Sequence, residues 1–149
     1  MTSWILSRNE LSSIQSLLPS WSNGRKLRML RRLIAQSSPR AFAVTVSRGQ
    51  WKTARHLDLL NDALVDVATG NTPRLLITMP PRHGKTLLTS QYFPAWYLGN
   101  YPDRRVILAS YEADFAAGWG RKARDLLEEH GPSLFGISIR KDSKAADRW

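Results

Sequence analysis

The sequence of 149 residues contains no cysteine. That removes disulfides and thiolate metal ligands at once, and it fits a reducing cytosol. No apolar run approaches the roughly 20 residues a membrane helix needs. The N-terminus lacks the charged, apolar and small-residue order of a signal peptide. Acid is scarce at one end: residues 1–57 hold ten Lys or Arg against one carboxylate, Glu10. The remaining 92 residues are nearly balanced, so most of the net charge of +10 lies ahead of residue 58. A basic arm before a balanced domain points to a polyanion such as nucleic acid, or to an acidic protein. A merely soluble basic surface is the plain alternative. Hydrophobic residues make up 42%, enough for one domain with a real core.

Periodicity divides the chain into a basic helical arm, 1–40, and an α/β part, 41–149. Leu11, Ile14, Leu17 and Leu18 recur at helical spacing until Pro19 stops them. A second helix is expected from Gly24 to Gln36, with Leu27, Leu30 and Ile34 on one stripe. Arg25, Arg28 and Arg32 form another, a candidate DNA contact. "SSPR" at 37–40 reads as a linker and "AFAVTV" as a short apolar stretch. Trp51 to Thr69 predicts a helix with Leu57, Leu60, Leu64 and Val67 on one face, ended by Gly70. "LLITM" (75–79) and "VILAS" (106–110) have the length and apolarity of buried strands. Helices are expected from Gly84, interrupted at Pro94, and from Glu112 to His130, closed by Gly131-Pro132. Phe115, Trp119, Ala123 and Leu126 line the apolar face of the last. This order predicts the beginning of a parallel α/β sheet, an incomplete P-loop type fold behind a basic helical segment.

The stretch "MPPRHGKT", 79–86, carries the chemistry. A usual phosphate loop reads G-x-x-x-x-G-K-[ST], and here Met79 stands at the first glycine. A strand end, a short loop and a helix opening at Lys85-Thr86 would aim free backbone N–H groups at one point. Lys85 would reach the β- and γ-phosphates of ATP, Thr86 would hold Mg²⁺, and Gly84 would let the backbone come close. Pro80 and Pro81 donate no N–H but stiffen the loop. Arg82 and His83 complete it. No second histidine or carboxylate stands at ligand spacing from His83, so no metal beyond the nucleotide's Mg²⁺ is expected.

Together, "MPPRHGKT", "FPAWYLG" (93–99), a strand ending in "SY" (110–111) and "RKAR" (121–124) resemble the N-terminal ATPase part of the large terminase subunit of tailed bacteriophages. The resemblance spans about residues 50–149. It implies an ATP- and Mg²⁺-dependent motor that drives double-stranded DNA into a procapsid inside the bacterial host. Such motors work with a portal, a small terminase subunit and a homo-oligomeric ring. By position, the resemblance makes Arg82 a γ-phosphate sensor and puts Trp51 and His56 in an upstream segment that contacts adenine. It places Arg121, Lys122 and Arg124 on a helix facing DNA or a neighbouring subunit.

A P-loop ATPase also needs a buried strand ending in Asp or Glu to hold Mg²⁺ and polarise water. "VILAS" ends in Ser110 instead, and Glu112 and Asp114 follow in a first helical turn. In the terminase family the acidic strand and the nuclease domain lie beyond the point where this sequence ends. A shortened frame, as in a prophage remnant or split gene, is therefore expected: it binds nucleotide but does not hydrolyse it alone. Two other readings stand beside it. One is a non-catalytic basic module with a relic phosphate loop; the other is a helicase-type ATPase fragment.

Overall fold

A computed structural model describes residues 23–139. The expected helix around Leu11 to Leu18 lies outside them. The chain divides into two compact units, Met1–Leu30 and Arg31–Trp149. Of the first unit, residues 23–30 are described; they form the first half of α1 (Asn23–Ser37). Its Arg25 and Arg28 are exposed, and so is Leu27.

In the second unit α1 continues to Ser37, followed by α2 (Pro39–Val46), α3 (Arg55–Thr69), a π-helical segment (Leu87–Tyr92), α4 (Phe93–Asn100) and α5 (Ala113–Leu134). The supposed linker "SSPR" is a helix junction. Ser38 caps α2, accepting a hydrogen bond from Ala41 N–H at 3.2 Å, and Pro39 fits the first turn, where its missing N–H costs nothing. α3 ends where glycine predicts: Gly70 takes φ 84° and donates to Val67 O. Leu57, Leu60 and Leu64 of its expected face are buried. Asn61, buried beside them, accepts from Arg40 N–H at 2.9 Å.

The π-helical segment sits at the centre and packs on α2, α3, α4 and α5. Pro94 accounts for it. Lacking an N–H, Pro94 cannot make the α-helical bond to Ser90 O, and the turn before it widens until Phe93 N–H reaches Leu88 O, five residues back. Leu88, Phe42 and Ala95 are fully buried there, with Tyr92 and Trp96 nearly so. Phe42 meets Tyr92 edge-on at 6.4 Å and Phe135 at 5.5 Å. Trp96 Nε1 donates to Gln36 O at 2.9 Å.

α5 runs past Gly131-Pro132, which was expected to close it. The terminator is Gly136, at φ 76°, whose N–H bonds Gly131 O. Arg32 Nε and Gln36 Nε2 donate to Leu134 O at 3.4 and 2.6 Å, satisfying a helix-end carbonyl. A Cβ on Gly131 would lie 3.0 Å from Ile137 O, closer than most side chains approach a carbonyl.

The expected parallel sheet is absent from the described residues. Residues 75–79 and 106–110 have no regular secondary structure and make no ladder hydrogen bonds. An apolar run specifies burial, whereas a strand also needs a partner backbone about 4.7–4.9 Å away. These runs have the first on one side only. Ile77 and Met79 pack on the core, while Leu76 and Ile107 are 89% and 92% exposed. The described fold is therefore helical, and the α/β expectation is corrected. Two apolar stripes shift too. On α1 the buried residue is Ala35, with Ile34 exposed; on α5 Phe115 is exposed and burial begins at Ala123. No described helix is long and apolar enough to cross a membrane.

One contact gives a stability test. A Cβ on Gly99 would lie 2.7 Å from the Phe135 ring, whereas Gly118, also within a helix, has nothing within 4 Å. Gly99→Ala should lose about 1–3 kcal/mol by overpacking. Gly118→Ala should gain about 0.5–1 kcal/mol from the helical preference of alanine. Urea unfolding of both variants checks the pair; equal shifts would contradict the close approach of α4 to residue 135.

Candidate phosphate-binding loop

Met79 is packed against the core, and the chain then turns outward through exposed Pro80 and Pro81. Arg82 takes φ 64° and Gly84 φ 82°. For glycine that conformation is ordinary; for arginine it costs about 1–2 kcal/mol, so the surrounding contacts must hold it. α3 supplies those contacts. Leu57 lies under Gly84, 3.2 Å from where a Cβ would sit, and His56 Nε2 lies 3.1 Å from His83 O. His83 Nδ1 lies 2.8 Å from Pro81 O, within the loop itself.

The helical backbone opens at Lys85. Its first bonded donor is Leu88 N–H, on Gly84 O at 3.0 Å. Among the described residues, the N–H groups of Gly84, Lys85, Thr86 and Leu87 make no backbone hydrogen bond. These are the orphan donors of a helix start, and they carry the positive end of its dipole. The four residues, with Pro80, Pro81 and Arg82, line a cavity of about 180 Å³. Lys85 Nζ crosses the loop to Met79 O at 3.4 Å, a long bond that a better acceptor would displace. The Arg82 guanidinium and the Thr86 hydroxyl make no hydrogen bond or ion pair among the described residues. Among the described residues no carboxylate lines the cavity. Thr89, not singled out by the sequence, donates its hydroxyl to Lys85 O at 2.9 Å.

Pro80 to Thr86 thus come together around one cavity, except that His83 flanks it without lining it. Trp51 and His56 part company. Trp51 packs edge-on against Tyr92 at 5.3 Å and belongs to the core, where burial raises the Tyr92 phenol pKa. His56 is at the loop. Of the other cationic candidates, Arg32 is occupied at the end of α5, Arg124 pairs with Asp125 at 3.0 Å, and Arg121 is exposed. Lys122 sits over the Trp119 ring at 4.1 Å. Leu57 was legible as a core residue, and nothing in its spacing marked it as the floor of the loop. Compared with known proteins, the chain matches no family model, no curated protein and no solved structure.

Proposed function

We propose that this chain binds the phosphates of a Mg²⁺-nucleotide, ATP by the resemblance of its motifs, at the loop from Pro80 to Leu87. One observation supports this most. Four residues with unbonded backbone N–H groups, Lys85 among them, and an unpaired Arg82 line a cavity that has no carboxylate among its described lining residues. That set matches a polyphosphate in charge and in donor count. Thr86 would ligate Mg²⁺ through a hydroxyl that is otherwise unbonded. In this reading the chain is the ATP-binding part of a motor like that of the large terminases, acting on double-stranded DNA in a bacterial cytoplasm. It would work with a portal and a small subunit as part of a ring. Titration with ATP, with and without Mg²⁺, is the direct test; no heat and no competition by tripolyphosphate would end the reading.

The basic arm supports DNA as the second ligand, since Arg25 and Arg28 are exposed and unpaired among the described residues. Binding should be independent of sequence and should weaken with salt by about 0.7–0.9 log units per log unit of salt for each phosphate neutralised. The double variant Arg25→Ala/Arg28→Ala should lower that slope, whereas Arg32→Ala should act mainly through α5 stability. Fluorescence anisotropy across a salt series measures it. An unchanged slope in the double variant would return the arm to simple solubility.

A further inference from the structure

We infer that His56 is a positioning residue of the phosphate loop: its imidazole ties the His83 carbonyl to the first turn of α3. The inference rests on the phosphate-binding reading and changes the role of a residue otherwise expected at adenine.

The His83 carbonyl can only accept, so the 3.1 Å contact requires a proton on His56 Nε2. By the same logic His83 donates from Nδ1 to Pro81 O at 2.8 Å. The two rings stand 5.7 Å apart at 71°. Leu57, the next residue on α3, fills the space beneath Gly84. Two neighbouring side chains of one helical turn therefore hold two neighbouring loop residues, one by a hydrogen bond and one by packing.

The tied residue is the pivot of the loop. His83 lies between Arg82 and Gly84, the two positions with positive φ. Fixing its carbonyl fixes the peptide plane that joins it to Gly84, and hence the direction of the Gly84 N–H. The same carbonyl would accept Leu87 N–H if the helix began one residue earlier. No such bond forms, and Leu87 N–H stays open beside the cavity. His56 thus keeps the donor set pointed at a ligand rather than spent on the helix.

The test compares wild type, His56→Leu and His56→Gln, whose amide N–H can stand in for Nε2–H, by titration of the whole chain with Mg-ATP and with inorganic tripolyphosphate. His56→Leu should weaken both ligands by one common factor, about three- to tenfold for a single neutral hydrogen bond, and His56→Gln should restore both. Loss confined to ATP would overturn the inference in favour of adenine contact, and no loss for either ligand would also overturn it. Should wild type bind neither ligand, the nucleotide reading itself fails. Hydrogen exchange of the 82–87 amides without ligand then decides the tie. Faster exchange in His56→Leu, reversed in His56→Gln, upholds it; equal exchange in all three overturns it.

Discussion

Replacing Lys85 by alanine should abolish measurable nucleotide binding. The Lys85 ammonium reaches across the loop to Met79 O at 3.4 Å, so it is already placed over the cavity and gives up only a weak bond when phosphate arrives. Hydrogen bonds to charged groups are worth about 1.5–3 kcal/mol each, and an ammonium between β- and γ-phosphates makes more than one. Each 1.4 kcal/mol is about tenfold in affinity, so a loss of several hundredfold is the expected order. Arg82→Ala should cost less, because that guanidinium stands on an exposed turn and has to order itself on binding. Gly84→Ala should also bind poorly, since residue 84 has φ 82° and Leu57 lies beneath it. Calorimetric titration of the three variants ranks them. Equal binding by wild type and Lys85→Ala would mean that the loop is not the site.

The second large effect is an absence of turnover by this chain alone. Phosphoryl transfer by such a loop needs Mg²⁺ held from two sides and a carboxylate or its equivalent to orient water. Among the described residues the cavity has Thr86 for one side of the metal and no carboxylate at all. An arginine finger alone contributes about 10³–10⁵ in rate, and Arg82 without an oriented water cannot draw on that contribution. Phosphate release should therefore stay near background even when ATP is bound. A steady-state assay with Lys85→Ala as control checks it. Turnover near one per second, a rate within the range of ordinary enzymes, and lost in Lys85→Ala, would show that a carboxylate reaches the loop. Glu112 and Asp114 would be the first to substitute. Addition of a polypeptide bearing an acidic strand end is the matching positive experiment.

The sequence by itself determined the local features whose causes are local. Gly70 ends α3 because only glycine takes φ 84° without strain. Pro94 had to disturb the helix that follows Lys85, because it has no N–H to give. The 3.6-residue spacing of Leu57, Leu60 and Leu64 selected the face that is buried. Gly84-Lys85-Thr86 marked the start of a helix. What the sequence could not fix was anything that depends on a partner distant along the chain. "LLITM" and "VILAS" had the composition of strands, but a strand is a pairing, and these runs have no ladder among the described residues. Gly131 looked like a terminator, yet tertiary packing against Ile137 and capping of Leu134 by Arg32 and Gln36 carried α5 on to Gly136. Trp51 and His56 looked alike as aromatic neighbours upstream of the loop. Only the folded chain separated them, sending Trp51 into the core against Tyr92 and His56 to the loop, because helix geometry and packing decide which residues meet across 27 positions of sequence.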